Sequence, residues 1–296
     1  MNVILEWLWD VAVKPVLDEL GLTQMPSLAE GWPRLWWVGS GLLNILPIHA
    51  AGYHDSNLSN TALDRVISSY TPTIKSLSYA RERAARADQL TENAILVYMP
   101  TTPGQGSIPF VEMEVEGIRN IFSKTFINLR VRQNPTRTEV LSELPQCTIV
   151  HFACHGYSAD DPSQSSLLLE DWKIAPLTVS DLMSLNIESG KFAYLSACHT
   201  SATRNLHLLD ESISLSSAIQ LSGYPSVVGS LWQVHDAHSA ELSGDVYSWI
   251  LNGKGELDVR RSAEGLHIAL RDLRERTRFM RKHDPLIWAS FIHVGI

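Results

Sequence analysis

From residue 93 onward the chain alternates short apolar runs with amphipathic stretches, and this rhythm limits the fold more than any other feature. "AILVYMP", "INLRVR", "TIVHFAC", "FAYLSAC", "SVVGSLW" and "LIWASFIHVG" have the length and composition of strands. Between the first two, "FVEMEVEGIRNIF" sets Val111, Val115, Ile118 and Phe122 at helical spacing, and "TRTEVLSEL" follows as a short helix. "ESISLSSAIQLSG" reads as a helix closed by Gly223, a residue suited to the position just past a helix. "DAHSAELSGDVYSWIL" is a helix with Asp236 placed to cap it, and "SAEGLHIALRDLRERTRFMR" is a long basic helix. Strands alternating with helices predict an α/β fold, a mostly parallel sheet covered by helices on both faces.

Residues 1–90 read as an N-terminal unit of helices and a β-hairpin that packs on a core over 91–296. "MNVILEWLWDVAVKPVLDEL" is an amphipathic helix, with Ile4, Leu5, Leu8 and Val11 or Ala12 on one face. It carries Glu6, Asp10 and Lys14 and lacks a basic leader region, so neither a signal peptide nor a membrane span fits. "RLWWVGSGLLNILPIHAAGY" gives a β-run, a Gly-Ser-Gly turn and a second apolar run ended by Pro47, the pattern of a hairpin or a paired edge element. "VISSYTPTIKSL" adds β-prone residues, and "SLSYARERAARADQL" is a charged helix with a solvated face. Trp7, Trp9, Trp32, Trp36 and Trp37 crowd this region, as core or as a surface that another domain covers.

With 296 residues the chain can bury a sizeable core, and its net charge of −8 disfavours a general nucleic-acid binder. Cys147, Cys154 and Cys198 are its three cysteines. So sparse and odd a set is no disulfide framework and favours a reducing, cytoplasmic setting.

Sites in open α/β sheets gather beyond the carboxyl ends of strands. Two strands here end in reactive residues: "TIVHFA" breaks at "CHG" and "FAYLSA" breaks at "CHT". If these strands are neighbours, His155 and Cys198 emerge at the same edge. Alternation sets His151, Ala153 and His155 on one face, with Cys154 opposite as a small buried hydrophobe and His151 as a core histidine. Gly156 lets the backbone after His155 turn and approach a ligand closely. An imidazole beside a thiol can take its proton or stabilise the thiolate, and the backbone N–H groups of Gly156 and Cys198 could hold an oxyanion. A metal site is the weaker alternative, because the Cys-His pairs lack Cys-x-x-Cys spacing; no cofactor is expected.

A histidine about 40 residues ahead of a cysteine resembles the caspase order. "VHFACHG", "YLSAC", "DESISLSSAIQLSGYPSVVGSLWQVHD" and "PLIWASFIHVG" together resemble a CHAT domain, a caspase- and separase-like family of cysteine peptidases. "PRLWWVGSGLLNILPIHAAGYHD" and "VISSYTPTIKSL" resemble its N-terminal part, particularly in fungal versions, so the resemblance spans nearly the whole chain. It implies the caspase-like fold, a catalytic His155, a nucleophilic Cys198 and endopeptidase cleavage of a protein substrate. It also implies control by attached TPR or other sensor modules or by a partner protein, in immunity or cell death; the chain itself shows no TPR period. Ser196-Ala197-Cys198 stands where caspases have Gln-Ala-Cys, so caspase specificity for aspartate is not expected. The segment after Cys198 lacks the glycine that follows in caspases. An acid in the substrate pocket, from among Asp160, Asp161, Asp210, Glu211 and Asp236, would select a basic P1 residue, with Ser196 nearby. A catalytically inactive protease-like interaction module is the alternative function, with the Trp-rich N-terminus and the basic helix as its working surfaces. For that helix, a solvated face is the default reading.

Overall fold

A computed structural model describes the chain apart from residues 28–30, 55–59, 88–91, 198–213, 233–235, 253–254 and 280–283. Its centre is an eight-stranded sheet. In chain order the strands are β1 (Arg34–Trp37), β2 (Ile67–Tyr70), β3 (Asn93–Tyr98), β4 (Asn128–Gln133), β5 (Ile149–Ala153), β9 (Phe192–Ser196), β10 (Ser226–Ser230) and β11 (Phe291–Gly295). Across the sheet the order is β1-β2-β11-β10-β9-β5-β3-β4. Every neighbouring pair is parallel except β10 with β11. Three short strands, β6 (His155–Tyr157), β7 (Ser166–Leu168) and β8 (Leu177–Thr178), form a small antiparallel sheet of their own.

Strands covered on both faces have no polar side to show, which is why their sequences read as unbroken apolar runs. Within β3, Ala94 and Leu96 join one core cluster while Ile95 and Val97 join the other. The first cluster lies under α4 (Val111–Phe122), α8 (Asp236–Ile250) and α9 (Ser262–Phe279). The second lies under α5 (Arg137–Glu143), α6 (Val179–Met183) and α7 (Leu215–Ser222). Gly223 ends α7 at φ +131°, where a Cβ would stand 2.0 Å from the Ile187 carbonyl oxygen, so the position demands glycine.

The N-terminal residues extend the same sheet. Of the two readings of this stretch, the paired edge element is the one observed and the hairpin does not form: Gly41–Ile45 and Ile48–Ala50 are 3₁₀ turns, and β1, at the sheet edge, pairs in parallel with β2, some thirty residues on. Pro47, with no N–H to give, suits the break between those turns better than a paired strand. Trp37 donates its indole N–H to Ser68 Oγ of the neighbouring strand at 3.0 Å, and Trp36 donates to the Gly295 carbonyl at 2.7 Å. The opening helical segment, α1 (Asn2–Leu8) running on to α2 (Lys14–Glu19), buries Leu5, Leu8, Trp9, Val13 and Leu17. Ile4 and Val11, expected on that buried face, are exposed instead. The remaining helix of the region, α3 (Ile74–Ala87), matches the charged segment read from sequence.

α9 departs from a solvated face. Arg274 is buried and donates two hydrogen bonds to the Asp64 carboxylate, at 2.9 and 2.8 Å. Arg271 covers the Trp32 ring at 4.4 Å and stands 3.5 Å from the same carboxylate. Among the described residues, no helix is long and apolar enough to cross a membrane.

Candidate active site

The two strands that carry the reactive residues are neighbours. β5 and β9 run parallel, with Ala153 paired to Ser196 at their carboxyl ends. A small cleft, open to solvent, lies beyond those ends and beyond β10. His155, Ser196 and Ala197 line it, with Cys154, Glu114, Ile108 and Ser230. Cys198 follows Ala197 directly in sequence and lies outside the described residues, as do Asp210 and Glu211.

His155 reaches the cleft differently from the expected alternation. β5 stops at Ala153, the chain bends at Cys154, and His155 opens β6 opposite Leu168 of β7. Gly156 continues that strand opposite Leu167. The small sheet therefore holds the histidine at the cleft's edge, half-buried. Its Nε2 stands 2.8 Å from the Gly106 carbonyl oxygen. A carbonyl accepts and never donates, so Nε2 carries a hydrogen and, in the neutral ring, Nδ1 carries the lone pair. No side chain marks Gly106 in the sequence; the orienting group is a backbone oxygen.

Below the cleft lies a buried polar chain. Ser196 donates its hydroxyl hydrogen to Glu114 Oε2 at 3.0 Å. Glu114 Oε1 is 3.2 Å from His151 Nε2, close enough for an ionic contact but off hydrogen-bond geometry. The His151 ring stacks on Tyr194 with centroids 5.0 Å apart, and its Nδ1 is 3.4 Å from the Tyr247 hydroxyl. Burial, with the nearby Glu114 carboxylate, pushes the Tyr194 and Tyr247 phenols well above their ordinary range. His151 is thus buried, as expected, yet engaged with an acid that the sequence reading passed over. On the other side of the cleft, Ser230 Oγ donates to the Ala197 carbonyl at 2.8 Å.

The acids named from sequence are scattered. Asp160 and Asp161 are exposed in the loop after β6, away from the cleft lining, and Asp161 Oδ1 accepts from the Ser163 N–H. Asp236 opens α8, and its side chain lies outside the described part. Among the described residues, no cluster of His, Cys, Asp and Glu could hold a metal ion. Cys147 and Cys154 are both buried, and neither is in a disulfide.

The family model of the CHAT domain matches residues 2–296. The chain belongs to the CHAT domain family. No curated protein matches it in sequence. Among solved structures, this CHAT chain is similar to Saccharomyces cerevisiae separase in its complex with securin. The TM-score is 0.60 at 15% identity, over 88% of this chain and 15% of that one. It is also similar to the Arg-specific cysteine proteinase gingipain R, with a TM-score of 0.50 at 10% identity, over 79% of this chain and 55% of that one. The structure of Porphyromonas gingivalis RgpB pro- and mature domains gives a TM-score of 0.51 at 10% identity, over 79% and 56%. The CHAT chain therefore spans a small part of separase and about half of gingipain. These likenesses make its α/β fold caspase-like, shared with separase and gingipain.

Proposed function

We propose that the chain is a cysteine endopeptidase with Cys198 as nucleophile and His155 as proton carrier. The observation that carries this reading is the His155–Gly106 hydrogen bond at the edge of the cleft. It leaves Nδ1 as the ring's acceptor, in a cleft that Ser196 and Ala197, just before Cys198 in sequence, also line. The thiol proton passes to His155 and the thiolate attacks the scissile carbonyl carbon. The oxyanion is held by the N–H groups of Gly156 and Cys198. The amine leaves with the proton from His155, and a thioester remains. Water then gives a proton to His155 and attacks the thioester; the acid product leaves and the thiol is restored. The steps consume one water and no cofactor.

Asp210, Glu211 and Asp236 are the acids we assign to recognition of a basic P1 residue, since Asp160 and Asp161 stand away from the cleft. The substrate is a protein, and sensor domains or a partner protein control access to the site. Binding of a partner protein would parallel the separase neighbour, whose structure is a complex with securin. A cytoplasmic setting and a role in immunity or cell death complete this reading.

The test is labelling by a thiol-reactive peptide electrophile. Selective modification of Cys198, abolished by His155→Ala, is the expected result. Equal and slow labelling of Cys147, Cys154 and Cys198 would instead mark an inactive interaction module.

A further inference from the structure

We infer that Glu114 is a positioning residue for the nucleophile, acting through the hydroxyl of Ser196. This rests on the peptidase reading above. Glu114 sits in the first turn of α4 with only 5% of its surface exposed. Burying a carboxylate in an apolar core costs several kcal/mol unless it is well paired. Replacing it with an apolar residue would suit the core better, for Val111, Val115 and Ile118 of the same helix are all buried. The acid therefore answers a need other than stability.

That need lies at the end of β9. Ser196 is the last residue of the strand, and Cys198 comes two residues later. From the α4 side, Glu114 Oε2 accepts the Ser196 hydroxyl. From the β10 side, the Ser230 hydroxyl donates to the Ala197 carbonyl. Two polar contacts, one from α4 to the Ser196 side chain and one from β10 to the Ala197 backbone, thus hold the two residues before the cysteine. Glu114 is steadied in turn by His151, whose ring is fixed by stacking on Tyr194. One carboxylate oxygen accepts the Ser196 hydroxyl, and the other lies 3.2 Å from His151 Nε2.

Positioning and packing predict different kinetics. A misplaced nucleophile reacts more slowly once the substrate is bound, and a displacement near 1 Å can cost about 100-fold. The experiment measures labelling of Cys198 by two peptidyl acyloxymethyl ketones, with Arg or Leu at P1, and separates kinact from KI. Ser196→Ala should lower kinact by roughly 10- to 100-fold and leave KI within about 3-fold for both probes. Ser196→Thr, which keeps the hydroxyl, should recover most of the rate. Glu114→Gln, which keeps an oxygen acceptor, should lose less than Glu114→Leu. Ser196→Ala combined with Glu114→Leu should be no slower than the worse single variant, because the two act as one unit. Should Glu114→Leu fail to fold, Ser196→Ala and Glu114→Gln still decide the matter.

Wild-type kinact in Ser196→Ala would overturn the assignment while leaving the peptidase reading intact. A rise in KI for the Arg probe alone in Glu114→Gln would also overturn it and make Glu114 a specificity residue. If wild-type protein shows no selective labelling of Cys198, the peptidase reading itself fails, and the positioning role falls with it.

Discussion

The Asp64–Arg274 pair gives the sharpest test of how the N-terminal residues are joined to the rest. Asp64 is fully buried and accepts hydrogen bonds from Arg274 Nη1 and Nη2, at 2.9 and 2.8 Å, and from the Thr61 hydroxyl at 2.6 Å. Replacing Arg274 with methionine keeps the apolar stem of the side chain and strands the carboxylate. Removing one partner of a buried pair costs about 3–5 kcal/mol. Here the lower end applies, because Arg271 remains 3.5 Å from Asp64 Oδ1 and Thr61 still donates to Oδ2. A loss of about 3 kcal/mol is a large part of the ~5–15 kcal/mol that holds a typical domain folded. At about 2–4 °C per kcal/mol it should lower Tm by roughly 6–12 °C. Asp64→Leu combined with Arg274→Met should recover much of that loss, since neither charge is then left buried. Urea unfolding of the two single variants and the double variant closes the cycle. A cost below about 1 kcal/mol for Arg274→Met, or a coupling near zero, would refute the idea that this pair is a tightly engaged internal bond.

Other expectations follow from the same reasoning. Cys198→Ala should abolish cleavage and leave the unfolding midpoint within experimental error; retained cleavage would remove Cys198 from the chemistry. Gly223→Ala should cost well over about 1 kcal/mol, because the added methyl meets the Ile187 carbonyl at a left-handed φ; an unchanged denaturation midpoint would contradict that strain. Burial pushes His49 and His267 down to about 3 and His293 well below its ordinary value, so all three stay neutral when folded. The unfolded chain takes up protons at these sites below about pH 6.5 and the folded chain does not. Their contribution is therefore complete above that pH and is lost towards pH 3, at about 1.4 kcal/mol per pH unit for each histidine. Unfolding curves at pH 7, 6 and 5 should show this slope, and His267→Gln should flatten it; equal slopes in both proteins would count against burial as the cause. A P1 library scan should favour Arg and Lys, while a preference for Leu or Met would discard the acidic pocket.

What could be read from sequence, and what could not, divides by how local the determining physics is. The runs ending at Ala153 and Ser196 announce strands because an apolar run bounded by loop residues is a local signal, whereas their adjacency is decided by the strand order of the whole sheet. The pairing of β1 with β2 is not local: the Gly-Ser-Gly turn suggested a hairpin, and only the whole sheet decides which edge Arg34–Trp37 will join. His155 was legible as a residue but not as the first residue of a new strand, because a bend at Cys154 has no signature in alternation. The Gly106 carbonyl could not have been found, since backbone oxygens carry no sequence label. Glu114 could have been. Val111, Val115, Ile118 and Phe122 trace the buried stripe of α4, and position 114 lies three residues after the first and four before Ile118, on that same stripe. An acid on the apolar side of an amphipathic helix is a local contradiction, and such contradictions tend to mark functional sites. Arg274 repeats the pattern, four residues after Leu270 and next to Leu273 on the buried side of α9. Both were absorbed into ordinary readings, an amphipathic helix and a solvated charge run, because the partners that neutralise them come from distant segments. A charge placed on a buried face therefore predicts a long-range partner even where the sequence does not say which residue it is.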